Sequence, residues 1–297
     1  MSKMYFRDKK KYKKRILGLL YFLLILVSAF WFGKISLDNR QNYTGELEFH
    51  IIDVGQGSSA FIECDNKLAL IDGGDKGSGS KVVENLKAQG VEKLDYLIVT
   101  HYDIDHIYGL MSVVYNFDIG EILAPDYEAD TKIYKSFINV IKLRKIKKRQ
   151  PELNEEIRLG GATLTCVCPV AKEYQNENDY SLGFKVSYKN RSVLICGDAT
   201  YRSEIDMVDN EVDIDSDVLI VSHHGSSSSS TSEFLEKVSP QKAIISCGID
   251  NDYGHPTKKV LKRLDACGAQ IYRTDLSGDI IVKTDGSDIS VSCTQED

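Results

Sequence analysis

Short apolar runs rich in β-branched residues recur along the chain from residue 46 onward, and most of them end in glycine, aspartate or histidine. Runs of this length, bounded by turn residues, are typical of buried β-strands. Segments with helical periodicity lie between several of these runs, at residues 82–89, 131–149 and 257–267, and a hairpin is predicted around Asp285-Gly286. Strands that alternate with helices in this way predict an α/β domain built in layers.

The first 35 residues follow a different pattern. Residues 3–15 are rich in lysine and arginine, and residues 16–33 contain no charged side chain, a length that can span a bilayer. The positive-inside rule then places the basic tail, residues 1–15, in the cytoplasm. We therefore expect a single-pass anchor over residues 16–35, a polar tether over 36–45 and an extracytoplasmic domain over 46–297. The alternative is a secreted protein, released by cleavage of a signal peptide near Val27-Ser28-Ala29.

Charge is distributed unevenly along the chain. The net charge is −7 overall, but the first 45 residues are basic, so the remainder is strongly acidic. An acidic body does not attract a polyanion through its overall field, although bound divalent cations would offset part of that charge. The predicted helix 131–149 has an apolar side, which includes Phe137 and Leu143, and a side with eight lysines and arginines, which include Lys145 and Lys148. The basic side is a candidate surface for a phosphate backbone. The alternative is a solvated helix face.

Five of the six histidines follow predicted strands or lie in glycine-rich loops, and only His50 falls inside a strand. Several aspartates occupy equivalent places, so imidazole and carboxylate groups from separate strands can converge at one edge of a sheet. Together these groups suit zinc, manganese or iron. Divalent ions at such a site would acidify water and polarise a substrate oxygen, and two ions would also hold an attacking and a leaving oxygen in line.

Six segments, in order along residues 46–292, resemble the metallo-β-lactamase superfamily. They are Asp53-Val54-Gly55-Gln56-Gly57, Ile71-Asp72-Gly73-Gly74, Thr100-His101-x-Asp103-x-Asp105-His106, Gly197-Asp198, Ser222-His223-His224-Gly225-Ser226 and Gly254-His255-Pro256. More narrowly, the chain is similar to the extracytoplasmic hydrolase domain of ComEC-type DNA-uptake competence proteins. The resemblance implies an αββα sandwich that holds one or two divalent metal ions, manganese or zinc, at one edge.

The resemblance also assigns metal ligands. They fall into two sets that share one carboxylate: His101, Asp103 and Asp198 for the first ion, and Asp105, His106 and Asp198 for the second. The superfamily usually has histidine where this chain has Asp103, and an oxygen donor there favours a harder ion such as manganese. The late ligand stays open, because His255 matches the last metal histidine of the superfamily while His223 and His224 fit either a ligand or a general acid.

Two departures from the family pattern are present. No histidine lies between His106 and His223, so one common ligand of the first ion is missing, and Ser58 replaces the usual carboxylate after Gly57. Asn178, in a segment that resembles one in the family, is expected to face the site, although it could instead cap a turn. The full set of residues expected to contact substrate is Asp72, Asn178, Ser226, Lys145 and Lys148.

These expectations point to a membrane-anchored metal-dependent hydrolase of phosphodiester bonds, acting as a nuclease on single- or double-stranded DNA or a related polyanion. Asp105 would orient the attacking water, and His223 or His224 would assist the leaving oxygen. Two alternatives remain open. The same fold could hydrolyse a lactone, a β-lactam or another ester, or the domain could be a metal-binding interaction module of a surface or DNA-uptake complex without turnover.

Overall fold

The computed structural model describes residues 45–295, together with the isolated positions Tyr21, Ile25 and Val27. Contacts within the chain divide it into two units, residues 1–44 and residues 45–297. The predicted anchor and tether lie outside the described residues, apart from positions 21, 25, 27 and 45. Among the residues that are described, no helix is long and apolar enough to cross a bilayer.

The described chain alternates strands and helices, as the sequence pattern predicts. The strands are, in chain order, Leu47–Ile51 (β1), Ala60–Cys64 (β2), Lys67–Ile71 (β3), Lys93–Ile98 (β4), Asp118–Leu123 (β5), Lys148–Arg149 (β6), Glu156–Leu159 (β7), Ala162–Cys168 (β8), Gly183–Tyr188 (β9), Arg191–Ile195 (β10), Val218–Ile220 (β11), Lys242–Ile245 (β12), Gln270–Arg273 (β13), Ile280–Thr284 (β14) and Ile289–Cys293 (β15). The helices are Ser78–Ala88 (α1), Ile104–Ile107 (α2), Leu110–Asn116 (α3), Lys132–Arg144 (α4), Tyr201–Asp209 (α5), Ser232–Val238 (α6), Lys258–Ala266 (α7) and Thr274–Ser277 (α8).

Two sheets form the centre of the domain. One has eight strands in the order β15-β14-β1-β2-β3-β4-β5-β6, and the other has seven in the order β13-β12-β11-β10-β9-β8-β7. Apolar side chains from the inner faces of both sheets, such as Phe49, Ile62, Phe184 and Val186, pack into one buried cluster. This face-to-face arrangement is a β-sandwich, in which alternate residues of each strand point inward.

Helices cover the outer face of each sheet. Buried residues of α1, α3 and α4 pack with the outer side chains of the first sheet, and those of α5, α6 and α7 pack with the second. Threonines begin four of these helices, because the hydroxyl groups of Thr131, Thr200, Thr231 and Thr257 each accept a hydrogen bond from a backbone N–H of the first turn. The layers are therefore αββα, as the sequence resemblance implies.

The parallel parts of the two sheets determine where the loops meet. In the first sheet β3, β4 and β5 are parallel, and in the second β10, β11, β12 and β13 are parallel. The candidate ligands Asp72, His101–His106, Asp198 and His223–His224 follow β3, β4, β10 and β11 respectively. Ligand sites of α/β sheets lie at the carboxyl ends of their strands, and the candidate site is at that edge.

The helix predicted over residues 131–149 is shorter than expected. It ends at Arg144, because Lys145 adopts a left-handed conformation (φ 56°) that terminates it, and Lys148 lies in the strand β6. Leu143, expected on the apolar side, is 72% exposed. Strand pairing of β6 with β5 competes with helix propagation at this point and prevails.

The basic side chains of this segment are mostly neutralised. Carboxylates lie within 4.0 Å of five of the eight: Lys135, Arg144, Lys147, Lys148 and Arg149. Lys148 Nζ also donates to the carbonyl of Pro125 at 3.2 Å and lies 3.4 Å from the hydroxyl of Tyr102. Burial lowers the pKa of Lys148. The structure thus corrects the expected role of Lys148, since its amino group is turned inward.

Candidate metal centre

Three buried histidines each direct the ring nitrogen Nε2 into one cluster of side chains. The Nε2 atoms of His101, His106 and His224 are all buried, and none of them has a hydrogen-bond partner among the described residues. Buried polar atoms are normally hydrogen-bonded, but the nearest polar groups to these three are carboxylate oxygens 3.3–3.6 Å away. Divalent cations held among these groups would bind the free nitrogen atoms.

Two carboxylates complete the cluster. His101, His106 and Asp198 can offer ligand atoms that all lie within 4.8 Å of one another, and so can Asp105, His106 and His224. Asp198 is central, because its Oδ1 lies 3.3 Å from His106 Nε2 and its Oδ2 lies 3.6 Å from His224 Nε2. Imidazole nitrogen with carboxylate oxygen is a donor set that suits divalent transition metals.

The other ring nitrogen of each central histidine is already occupied. His106 Nδ1 lies 2.7 Å from Asp72 Oδ2, and His224 Nδ1 lies 2.9 Å from the carbonyl oxygen of Ser246. A carbonyl or carboxylate oxygen can only accept, so Nδ1 donates in both rings. In the neutral imidazole, Nε2 then carries the lone pair that a metal requires. The residues present therefore fit a bound divalent ion.

Asp72 supports the site from behind. Its carboxylate is fully buried and also accepts from the N–H and hydroxyl groups of Thr100, at 2.9 and 2.7 Å. A side chain with all these contacts and no exposure cannot reach a substrate. This corrects its expected role as a substrate contact, because Asp72 instead orients His106.

The backbone that follows Asp72 lies directly against the backbone around His106, and this contact holds the two side chains in position. Gly73 N donates to the carbonyl of His106 at 2.7 Å, and Gly109 N donates to the carbonyl of Gly74 at 3.1 Å. A Cβ atom on Gly109 would lie 1.8 Å from the carbonyl oxygen of Gly73, so only glycine permits this contact. The loop after β3 is thereby joined to the segment that carries His106.

The backbone of the site is strained at three positions. Asp72, His223 and His224 have φ values of 56°, 53° and 54°, in the left-handed region that side chains other than glycine rarely adopt. Such conformations cost about 1–3 kcal/mol each and persist where the surrounding contacts impose them. Two of these residues carry imidazoles of the cluster and the third holds a ligand in place.

The carboxylates of the cluster have lowered pKa values. Burial acts to raise the pKa of Asp105, but its contact with His224 and the charge of His106 outweigh this effect and lower the pKa to about 2. Burial likewise acts to raise the pKa of Asp198, and the charges of His106 and His224 hold it well below its usual range. Both groups are therefore carboxylates at neutral pH.

The pKa values of the imidazoles are shifted in opposite directions. Burial acts to lower the pKa of His106, but the charges of Asp198 and Asp72 raise it well above its usual range. Burial also opposes protonation of His224, and Asp198 and Asp105 raise its pKa. His223 differs, because burial and the neighbouring histidines lower its pKa. In the absence of a metal, His106 and His224 thus hold protons more firmly than His223.

His223 lies on the open side of the cluster. Its side chain is 24% exposed, its Nε2 is 3.7 Å from Asp198 Oδ2, and its Nδ1 is 3.1 Å from the hydroxyl of Ser228. Ser226, an expected substrate contact, is mostly buried, and its hydroxyl lies 2.9 Å from that of Ser228. Both serines therefore form a hydrogen-bonded chain that ends on His223.

The remaining candidates lie further out. Asp103 is 46% exposed, with Oδ2 3.6 Å from His101 Nε2. His255 is in neither group of ligand atoms, and its ring stacks on Tyr253 with centroids 5.7 Å apart. Asn178 lies partly exposed in the 3₁₀ turn Glu177–Tyr180, which Asn176 rather than Asn178 caps. Lys145 is exposed at the end of α4.

Three contacts of the cluster were not expected from the sequence. Thr100 holds Asp72, Ser228 contacts His223, and the carbonyl of Ser246 accepts from His224. Thr100 and Ser246 lie at the ends of predicted strands, which indicates only that they are at the edge of a sheet. Ser228 lies in a run of five serines, where no local signal separates one hydroxyl from the next.

An αββα sandwich with an imidazole and carboxylate cluster at the carboxyl edge of its parallel strands defines a metal-dependent hydrolase domain. The chain belongs to the metallo-β-lactamase superfamily, because the model of that family matches residues 52–249.

Curated relatives include proteins named for competence. The chain is 30% identical over 274 residues to the competence protein ComA of Neisseria gonorrhoeae. The aligned region covers 89% of this chain and 36% of ComA. The chain is also 30% identical over 264 residues to ComE operon protein 3 of Bacillus subtilis (strain 168), covering 80% of this chain and 33% of that protein. The chain therefore spans about a third of the length of these relatives.

Two solved structures share the fold. The metallo-β-lactamase fold protein YhfI from Bacillus subtilis has a TM-score of 0.54 and 12% identity, covering 80% of this chain and 100% of that one. CmlA, a diiron β-hydroxylase from Streptomyces venezuelae, has a TM-score of 0.52 and 15% identity, covering 77% of this chain and 52% of that one. At these identities the likeness concerns the fold alone.

Proposed function

We propose that this domain hydrolyses phosphodiester bonds of DNA with two divalent ions. The observation that carries the proposal is the position of Asp198, whose carboxylate lies within 4.0 Å of the imidazoles of His101, His106, His223 and His224. A carboxylate with imidazoles around both of its oxygen atoms is placed to bridge two ions. Two-ion sites are suited to in-line displacement at phosphorus, because both the attacking and the leaving oxygen need stabilisation.

His101 and Asp198 would hold one ion, with Asp103 as an outer ligand. Asp105, His106 and His224 would hold the other, together with the shared carboxylate of Asp198. When bound, such ions acidify water and polarise the phosphoryl oxygens. In the metal-free protein the contact with His224 and the charge of His106 outweigh burial and lower the pKa of Asp105 to about 2, so its carboxylate is ionised at neutral pH. It therefore accepts a hydrogen bond and orients the attacking water.

His223 is placed to protonate the leaving oxygen. Its Nε2 is at the open side of the cluster, and Ser228 contacts its Nδ1. A protonated ring can donate from Nδ1 to the Ser228 hydroxyl and from Nε2 to the substrate. Burial and the neighbouring histidines lower the pKa of His223, so its protonated form gives up a proton more readily than an ordinary histidine.

The choice of DNA rests on the relatives. The relative from Neisseria gonorrhoeae is named a competence protein, and a further relative from Haemophilus influenzae, 28% identical over 236 residues, is named recombination protein 2. The exposed carboxylate of Asp103 supports a preference for manganese over zinc, because carboxylate oxygen suits the harder ion.

We further propose that residues 16–35 anchor the hydrolase outside the cytoplasmic membrane, as the uncharged run behind a basic tail predicts. Cys267, which is exposed, provides a reporter. In protoplasts of a host that expresses the chain, a membrane-impermeant maleimide should label the wild type and not Cys267→Ser. Labelling that requires lysis would place the domain inside.

Turnover by the full-length chain tests the activity. Manganese-loaded protein should hydrolyse bis-p-nitrophenyl phosphate and single-stranded DNA, and Asp105→Ala should reduce the rate by about 10²-fold or more. Asp130→Ala is the control, since that carboxylate is 96% exposed and pairs with Lys135. Metal content is measured on the same preparations.

Two outcomes would contradict the proposal. Hydrolysis of a lactone, a β-lactam or another ester, with no phosphodiester turnover, would assign the ester-hydrolase function. A fully metal-loaded protein without any turnover would favour the interaction module.

A further inference from the structure

A groove lies between helices α6 and α7 on the outer face of the second sheet. It has a volume of about 610 Å³, and its lining includes Leu235 and Glu236 from α6 and Lys259, Lys262 and Arg263 from α7. Both helices connect parallel strands, β11 to β12 and β12 to β13, so they run in the same direction. Each begins at the edge of the sheet that carries the metal centre.

The basic residues of α7 share one face. Positions 259, 262 and 263 are three and four residues apart, a spacing that places their side chains side by side along a helix. Lys259 and Lys262 are exposed, and no carboxylate of residues 45–295 forms an ion pair with either of them. Exposed, unpaired cations in an acidic domain are available to an anionic partner.

The basic side chains of segment 131–149, unlike Lys259 and Lys262, are mostly paired with carboxylates. In the segment 131–149, five of the eight basic side chains are already within 4.0 Å of carboxylates, and Lys148 is turned inward. Of the three that remain, Lys142 and Lys145 lie near or just after the C-terminal end of α4, whereas Lys259 and Lys262 lie in the first turns of α7, which begins at the edge that carries the metal centre. Position, and not the number of unpaired cations, favours the α7 face.

Hydrogen bonds join the groove to the metal centre. Arg263 Nη1 donates to the carbonyl oxygens of Ser229 and Ser230, at 2.9 and 3.0 Å. Thr257, which caps α7, donates from its N–H and hydroxyl groups to the carbonyl of Gly225, at 2.9 and 3.1 Å. Gly225 and the serines directly follow His223 and His224. The loop that carries His223 and His224 thus forms the end of the groove nearest the metal centre.

We infer that the α6–α7 groove binds the sugar-phosphate backbone of a single polynucleotide strand whose scissile bond lies at the metal centre. Lys259 and Lys262 contact successive phosphates, and Arg263 fixes the loop between groove and site. Cβ atoms three residues apart on a helix lie about 5–6 Å from each other, so Lys259 and Lys262 can reach neighbouring phosphates of one strand. The inference rests on the proposed phosphodiesterase function for the position of the scissile bond, but the binding itself does not require turnover.

Charge reversal tests the groove. The variant Lys259→Glu/Lys262→Glu keeps Arg263 and the loop contacts intact. The control, Lys87→Glu/Lys93→Glu, makes the same charge change on exposed lysines at the end of α1 and the start of β4, which have no proposed role in substrate binding. Binding of fluorescein-labelled oligo(dT) of twenty nucleotides to the full-length chain is followed by anisotropy in EDTA, over a range of salt concentrations, so that cleavage does not contribute.

We expect the groove variant to bind at least about tenfold more weakly than wild type. The slope of log K against log salt should fall by about 1.4, since each single-strand phosphate contact contributes about 0.7. The control should bind like wild type. With manganese, both variants should hydrolyse bis-p-nitrophenyl phosphate at the wild-type rate, because that substrate is too small to reach the groove.

Other results would overturn the inference. If wild type and the groove variant bound oligo(dT) equally, or if the groove and control variants lost equal affinity, a specific binding site along α7 would be excluded. A duplex that binds as tightly as oligo(dT), with the same sensitivity to Lys259 and Lys262, would overturn the assignment to a single strand. If wild type binds through the groove but does not hydrolyse bis-p-nitrophenyl phosphate, the proposed function fails and the groove assignment stands.

Discussion

His106 Nδ1 lies 2.7 Å from Asp72 Oδ2, and both side chains are fully buried. This contact fixes the ring so that Nε2 faces Asp198 and the second group of ligand atoms. A carboxylate behind a metal-binding histidine holds its tautomer and makes the ring a better ligand, and its loss typically weakens metal binding 10- to 100-fold. We expect Asp72→Asn to lower the affinity for manganese or zinc by about this factor, as measured by titration calorimetry.

Glu48→Gln is the matched control for Asp72→Asn. Glu48 is also a buried carboxylate, and it lies 2.9 Å from His50 Nε2, but this pair involves the strand β1 and not the cluster. Its replacement should leave metal affinity unchanged. If both variants bound metal like wild type, the support that Asp72 gives to His106 would have no functional role.

The sequence predicted the ligand-bearing segments because their signals are local. Apolar β-branched runs that end in histidine and aspartate mark strand ends, and strands alternating with helices predict the layers. The partners of these side chains depend on the tertiary structure. Nothing near Asp72 in sequence indicates that His106 and Thr100 occupy its carboxylate, so its expected role as a substrate contact was wrong.

The surface charge was harder to predict for a related reason. A dense basic run near Lys148 suggested a binding face, but the carboxylates that neutralise it come from Asp118, Glu121 and Asp126, on and after β5. The lysines of α7 are fewer and formed no conspicuous run. Lys259 follows His255 by four residues, but only the parallel order of β11, β12 and β13 places α7 beside α6 to form the groove.

Metal binding should release protons at neutral pH. In the metal-free protein, the carboxylates of Asp198 and Asp72 raise the pKa of His106 above its usual value, and Asp198 and Asp105 raise that of His224. Coordination requires neutral rings, so a metal must displace these protons. Apparent affinity should therefore increase as the pH rises from 6 toward the raised pKa values and then level off.

Calorimetry of manganese binding in buffers of different ionisation enthalpy measures this proton release. Asp72→Asn should release fewer protons, because it removes one of the two charges that raise the pKa of His106. The raised pKa values also stabilise the metal-free fold at low pH, and this contribution should be lost as pH rises through them. Binding without proton release at pH 7 would contradict the assigned protonation states.

Helix α4 allows a test of packing. Phe137 is fully buried and Leu143 is 72% exposed, although both were expected on one apolar side. Phe137→Ala removes a core ring and should lower the free energy of unfolding by about 3–5 kcal/mol. Leu143→Ala should change it by less than about 0.5 kcal/mol. Urea unfolding followed by circular dichroism compares the two, and equal losses would mean that Leu143 is buried in the folded protein.

The late metal ligand can be identified by two parallel substitutions. His224 Nε2 lies 3.4 Å from Asp105 Oδ2, whereas His255 contacts His223 and Tyr253 and lies in neither group of ligand atoms. After dialysis against a metal buffer, His224→Ala should retain fewer ions per chain than wild type. His255→Ala should retain the wild-type number, as measured by plasma mass spectrometry. The opposite result would restore His255 as the ligand, in line with its match to the family motif.

The position of Asp103 should determine the choice of metal. Its side chain is 46% exposed, and its Oδ2 lies 3.6 Å from His101 Nε2. Carboxylate oxygen suits manganese, whereas imidazole favours zinc. We expect Asp103→His to increase the ratio of zinc to manganese affinity, measured by competition between the two ions. Asp103→Asn is the control, because it keeps an oxygen donor and removes the charge, so it should weaken both ions without moving the ratio toward zinc. If Asp103→His left the ratio unchanged, the preference would have to come from the buried ligands His101 and Asp198 alone.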